Sequence, residues 1–203
     1  MLSNKLLLKK ELEPRLDEAS KGERTVFFVD AAHFVLAPFL GFLWSFHRVF
    51  IRAPSGRQRF NVLGALNAIT HELITVTNDR YINALSVCQL LDKIHALQLP
   101  TPVTLVMDNA RYQKCKVVWQ RAQELEIELL YLPSYSPNLN LIERLWKFVK
   151  KQCLYSVYYE NFGEFSAAIT DCLSKTHTLH KEELDTLLAP KFQTLDESKI
   201  ITV

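Results

Sequence analysis

The apolar positions of this chain follow two rhythms. Short continuous runs, TVFFVDAA from Thr25, VTLVMD from Val103 and IELLYL from Ile127, are rich in β-branched and aromatic residues and predict buried strands. RFNVLGALNAI from Arg59 and ELITVTN from Glu72 predict two further strands joined by a tight turn at 70–72. Between His33 and Gly56 the pattern is broken by Pro38, Gly41, Pro54 and Gly56, which leaves room for one or two short strands around 42–51. Helical spacing begins at 81–97, where residues 82, 85, 87, 90, 91, 94 and 97 are apolar and Pro100 and Pro102 follow. Residues 113–125, 141–153 and 162–175 predict three more helices, the second of them strongly amphipathic. From about His177 a tail or a small helical cap is expected.

This order gives an α/β layer architecture: a mixed sheet whose first strands connect by hairpins and whose later strands connect through helices. Residues 23–176 are expected to form one domain and 177–203 a C-terminal tail or helical extension. In residues 1–22, leucines 2, 6, 8 and 12 offer a single stripe that Pro14 and Gly22 interrupt, so a linker or arm outside the core is expected.

Two acids stand in unusual places. Asp30 lies inside VFFVDAAHF, and Asp108 ends VTLVMD. Charges seldom interrupt buried strands without a partner or a metal. On neighbouring strands the two carboxylates would repel, so one stays protonated or a cation sits between them; Mg²⁺, a hard ion that takes oxygen ligands, suits such a place. Singly, each acid has a plainer reading: Asp30 bonded to nearby backbone N–H groups, Asp108 opening an Asx-turn with Asn109. Glu143 is the third candidate, one turn into a predicted helix. Asn140 and Glu143 also match a capping box, so helix capping by Asn140 is expected.

VFFVDAAHF, VTLVMDNARYQ and LLYLPSYSPNLNLIERLWKFVK together resemble the DDE transposases of bacterial insertion sequences related to mariner. The step from Asp108 to Glu143 is 143 − 108 = 35 positions, the family's usual spacing, and SPNLNLIERLW is its most specific string. The resemblance runs from about Thr25 to Leu173. It implies a ribonuclease H-like fold with a mixed five-stranded sheet flanked by helices. It implies that 23–176 is a DDE catalytic domain whose Asp30, Asp108 and Glu143 are both the catalytic acids and the ligands of two divalent ions, Mg²⁺ with Mn²⁺ as substitute. The reaction implied is phosphodiester hydrolysis at transposon ends and strand transfer into target DNA, at TA sites. Ala31 stands where many relatives carry a glutamate. The family usually has helix-turn-helix modules ahead of the catalytic domain, so a separate recognition protein is expected, or the chain is a catalytic half. Homodimer assembly on DNA is expected.

Charge alters this little. Lys plus Arg is 24 and Asp plus Glu 22, a net of +2, which neither demands nor excludes nucleic acid. Local clusters matter more: Arg144, Lys147, Lys150 and Lys151 on the predicted Glu143 helix, and Arg111, Lys114 and Lys116 after Asp108, are candidates for DNA phosphate contact, or simply solvated faces. Asn109, Asn140 and Trp146 are candidate supporting residues, with Trp146 bracing the helix. His33 and His71 are read as structural, and Ser134, Tyr135 and Ser136 as a loop setting the helix entry. The cysteines at 88, 115, 153 and 172 form no CxxC and are expected to be reduced thiols. No run is long enough for a membrane span, and no Gly-rich phosphate loop supports ATP-driven chemistry. A bacterial cytoplasmic, nucleoid-associated enzyme is expected. Two other functions fit the acids: a ribonuclease H-like nuclease that cuts without joining, and a non-enzymatic DNA-binding module.

Overall fold

The computed structural model describes residues 8–36, 46–48, 50, 58–133 and 139–189. Five strands form one sheet: β1 (Thr25–Leu36), β2 (Gln58–Asn67), β3 (Leu73–Asn78), β4 (Val103–Met107) and β5 (Ile127–Tyr131), in the order β3-β2-β1-β4-β5. β1, β2 and β3 pair antiparallel, whereas β4 and β5 add parallel to β1. The helices are α1 (Glu13–Ser20), which follows a π-helical turn at Leu8–Leu12, α2 (Ala84–His95), α3 (Lys116–Glu124), α4 (Ile142–Cys153), α5 (Phe162–Ser174) and α6 (Lys181–Leu187). This is the expected mixed five-stranded sheet flanked by helices.

Strand alternation divides β1 between two cores. Val26, Phe28, Ala32, Phe34 and Leu36 pack with α4, α5 and α6, while Phe27 and Val29 pack with α2 and α3. Asp30 therefore falls on the α4 face. β1 runs well past the apolar run that announced it, because its pairing with β2 continues to Leu36 opposite Gln58.

Several boundaries differ from expectation for local reasons. α2 begins at Ala84 rather than 81, because Asn83 caps it: Ser86 N–H donates to Asn83 Oδ1 at 3.1 Å and Asn83 N–H to Ser86 Oγ at 3.3 Å. α3 begins at Lys116 rather than 113, since Gln113 and Lys114 turn back onto the Ala110 carbonyl. β2 stops at Asn67, whose Oδ1 accepts from the amides of Ile69 and Thr70. The strands expected around 42–51 lie largely outside the described residues; Phe46, His47, Arg48 and Phe50 are in no strand.

The arm expected at the N-terminus is corrected over residues 10–20. Leu12 and Ala19 are buried in the α4-side core, and Leu16 packs against it. Charge fastens the same segment: Arg15 Nε donates to Glu128 Oε2 at 3.1 Å, and Arg24 Nη1 donates to that oxygen at 3.0 Å. These side chains lie where the sequence shows only a broken stripe, so their partners come from β5 and the core. At the other end Leu184 of α6 and Leu188, just after it, are buried in the same core. Among the described residues no helix is long and apolar enough to cross a membrane, and all four cysteines are free thiols.

Candidate active site

Parallel pairing brings two acids to one place. The last register pair between β1 and β4 is Val29 with Met107, and the next residues on the two strands are Asp30 and Asp108. Across β1 on its other side, Asp30 is paired with Gly64 of β2. A Cβ at Gly64 would stand 2.8 Å from Trp146 Cη2 and 3.0 Å from Ile142 Cδ1. The missing side chain therefore makes the room in which α4 lies close over the sheet. There Trp146 Nε1 donates to Asp30 Oδ2 at 3.1 Å.

α4 enters this position without a side-chain cap. Its N-cap is Leu141, in helical conformation. Asn140, expected to cap, instead donates from Nδ2 to the Val29 carbonyl at 3.2 Å and is buried. The capping reading is corrected: Asn140 directs its amide to β1, at the residue before Asp30, and no side chain caps α4. Glu143 N–H closes a turn on the Asn140 carbonyl at 3.2 Å.

The three acids share one electrostatic neighbourhood. Burial, opposed by the Ala31 amide and reinforced by the charges of Asp108 and Glu143, pushes the Asp30 carboxyl up to about 7. Burial also raises Glu143; Lys147 and Lys150 act against that shift and Asp108 adds to it. Asp108 is exposed and accepts the Ala110 amide on Oδ1 at 3.1 Å, the Asx-turn that the sequence allowed. Asn109 Nδ2 donates to the Leu132 carbonyl, so the loop after β4 is tied to the end of β5.

The basic residues separate into two groups. Arg144 Nη1 donates to the carbonyls of Leu187 and Ala189 at 3.2 and 2.8 Å, and so fastens the end of α6. Lys114 lies over the Tyr131 ring and donates to Asn109 Oδ1 at 3.3 Å. Lys151 makes an exposed contact of 3.8 Å with Glu183. Lys147 and Lys150 flank Glu143 closely enough to oppose its shift, and Arg111 and Lys116 are exposed. His33 shares a 2.7 Å hydrogen bond with Asn61 on the sheet face away from Asp30, and His71 contacts Asp185 at 2.9 Å. The Ser134, Tyr135 and Ser136 loop lies outside the described residues.

Sequence reading missed Gly64, whose partner in the sheet is 34 positions away (64 − 30), and Tyr112. Burial pushes the Tyr112 phenol up to about 12, and the charges of Asp108 and Asp30 add to the shift, which puts it beside the acids. Only its place four residues after Asp108, in NARYQ, hinted at this.

No group of three His, Cys, Asp or Glu side chains among the described residues stands in metal-binding geometry. The donor chemistry nonetheless suits a hard divalent cation. Three carboxyl groups share one neighbourhood, and mutual repulsion helps hold Asp30 above its ordinary acidity.

A sheet of this order, with acids just past the last register pair of β1 and β4 and a third on a helix across them, is the frame of a ribonuclease H-like domain. The chain belongs to the DDE endonuclease superfamily: residues 25–166 match the model described as "DDE superfamily endonuclease". It is 29% identical over 136 residues to the insertion element IS630 uncharacterized 39 kDa protein of Shigella sonnei, a match covering 65% of this chain and 39% of that protein. The chain thus corresponds to well under two thirds of that relative's length. Its fold is similar to the Mos1 transposase in a paired-end complex with the left transposon end, with a TM-score of 0.58, 12% identity, and 94% of this chain and 62% of that one covered. A pre-cleavage Mos1 transpososome gives a TM-score of 0.57 at 13% identity, covering 95% and 63%. The fold is that of a transposase-type catalytic domain.

Proposed function

We propose that this chain is the catalytic domain of an insertion-sequence transposase, which hydrolyses DNA phosphodiesters at the element's ends and joins the freed 3′ ends to target DNA at TA sites. One observation carries the reading: Asp30 and Asp108 follow the last register pair of adjacent parallel strands, and Glu143 lies on the helix held across them. Family membership supports it.

Asp30, Asp108 and Glu143 would hold Mg²⁺ or Mn²⁺, two ions in all, and when bound these supply charge stabilisation for the attacking and departing oxygens. The chain's own residues do the rest. Asp30 is oriented by the indole N–H of Trp146. Asp108 is fixed by its turn and by the tie from Asn109 to Leu132. In cleavage, a water oxygen bonds to phosphorus as the bond to the 3′ oxygen breaks, and a proton passes from the water to that oxygen. In joining, the 3′ hydroxyl takes the place of the water. Lys147, Lys150 and Lys151, with Arg111, Lys114 and Lys116, are the proposed phosphate contacts. A helix-turn-helix partner supplies end recognition, two copies assemble on DNA, and the protein works at the bacterial nucleoid.

The test is to incubate the protein with Mg²⁺ or Mn²⁺ and DNA carrying the native element ends. Nicks at the ends followed by joined products are expected. Nicks without joined products assign a nuclease, and intact DNA in both metals points to a non-enzymatic module.

A further inference from the structure

Among the described residues Glu143 makes no side-chain hydrogen bond to the sheet, yet its neighbours do. Asn140 precedes it by three residues, just ahead of α4, and Trp146 follows it by three within α4, a spacing that puts Glu143 and Trp146 on one side of the helix. Both neighbours donate to β1, and to successive residues of it: Asn140 Nδ2 to the Val29 carbonyl at 3.2 Å, Trp146 Nε1 to Asp30 Oδ2 at 3.1 Å. The Glu143 amide closes onto the Asn140 carbonyl, so the turn between the first anchor and the glutamate is itself fixed. Gly64, opposite Asp30, admits Trp146 and Ile142 to the sheet.

Asn140 carries a second signal. It is 3% exposed, and its Oδ1 finds no donor among the described residues. The orientation of the amide is set by its partner, since a carbonyl oxygen requires the NH₂ end. A buried acceptor left open is costly, and the usual remedy is an ordered water.

We propose that Asn140 and Trp146 are paired positioning residues that hold Glu143 against Asp30, with Asn140 Oδ1 kept open for an ordered water beside the carboxylates. This rests on the function proposed above and adds to it the means by which the third acid is placed. Neither residue acts as a helix cap, and neither exchanges protons with substrate. Their effect passes through the geometry of the two acids they bracket.

The experiment uses the whole chain with Asn140→Ala, Trp146→Phe and both together. Mn²⁺ affinity is measured by calorimetry without DNA, alongside melting temperature and the kcat and KM of DNA cleavage. Each single change is expected to weaken Mn²⁺ binding about 10–100-fold, as loss of a group supporting metal ligands does, and to lower kcat with little change in KM. The double variant should lose less than the product of the two single losses, because both anchors fix one turn. If Asn140→Ala does not fold, Trp146→Phe, which keeps an aromatic ring and drops the donor, decides the same question. A lowered melting temperature with wild-type Mn²⁺ affinity and kcat overturns the proposal. Asp108→Asn is the control: if it loses Mn²⁺ while the anchor variants bind normally, only this inference falls. If the wild-type chain binds no Mn²⁺, the function fails and the inference with it. A crystal structure with Mn²⁺ should show a water within hydrogen-bond distance of Asn140 Oδ1, and a dry Oδ1 removes that part of the proposal.

Discussion

Trp146, on the helix that carries Glu143, donates its indole N–H to Asp30 in the centre of the sheet. The bond depends on a residue from a third element. Gly64 faces Asp30 across the β1–β2 pairing, and any Cβ there would meet the Trp146 ring at 2.8 Å. Gly64→Ala is therefore expected to push α4 off the sheet and to cost about 1–3 kcal/mol, the usual range for overpacking. Urea unfolding measures the cost; an unchanged midpoint would show that the helix is free to yield.

Asp30→Asn should stabilise the metal-free protein in a pH-dependent way. A carboxyl held at about 7 in the fold binds its proton where the unfolded chain, with an acidity near the ordinary ~3.9, has already lost it. The native state therefore binds more protons between those values, and wild-type stability falls as pH rises from about 4 to about 7. The asparagine variant lacks this loss. Its advantage over wild type should grow across that window and level off above it, by an amount on the order of a few kcal/mol. Parallel stability curves for the two proteins would contradict the assignment. Adding Mn²⁺ should raise the melting temperature of wild type more than that of the variant.

Glu128 behaves in the opposite sense. The hydrogen bond from Arg15, with Thr104 and Arg24, holds its carboxyl down at about 2. Its contribution is complete above about pH 4.3, the ordinary glutamate value, and is lost as pH falls toward 2. Because the side chain is 37% exposed, solvent screening keeps the effect near ~1 kcal/mol. Glu128→Gln should lower stability at pH 7 and leave it almost unchanged near pH 2. Equal losses at both values would mean that the side chain acts by packing alone.

The turn that leads into α1 offers a check on the corrected N-terminus. Leu12 is 0% exposed in the α4-side core, so Leu12→Ala should cost roughly 2–5 kcal/mol. An arm would show no loss in chemical unfolding.

The basic residues should divide as their contacts do. Arg144→Ala is expected to destabilise the α6 end while leaving DNA affinity near wild type, since its guanidinium is engaged by the Leu187 and Ala189 carbonyls. Lys147→Ala and Lys150→Ala should each weaken DNA binding across all sequences and reduce its salt slope by about 1. Titrations at several salt concentrations distinguish the two behaviours, and a large affinity loss in Arg144→Ala would assign it to the DNA face.

The strands and the two aspartates were legible because each is announced by a local apolar run, and the helix between the last two strands implies their parallel direction. Glu143 was legible through its motif. Asn140 was misread because its capping pattern is local, while its actual partner, the Val29 carbonyl, lies 111 positions away. Gly64 was silent for a similar reason: a glycine within a strand says that something approaches closely, and only the tertiary fold reveals that it is Trp146. Arg144 read as a phosphate contact because charge is visible in sequence, whereas the carbonyls that engage it are not.

The central claim is that the carboxylates of Asp30 and Asp108, just past the last β1–β4 register pair, hold the cation in the proposed DNA cleavage. Asp108→Asn tests it most directly, because an amide keeps the shape and the acceptor for the Ala110 amide while removing the negative charge. With Mg²⁺ and DNA bearing the element ends, wild type should nick the ends, and the variant, equally folded by circular dichroism, should give only background. Cleavage by Asp108→Asn at the wild-type rate would contradict the account.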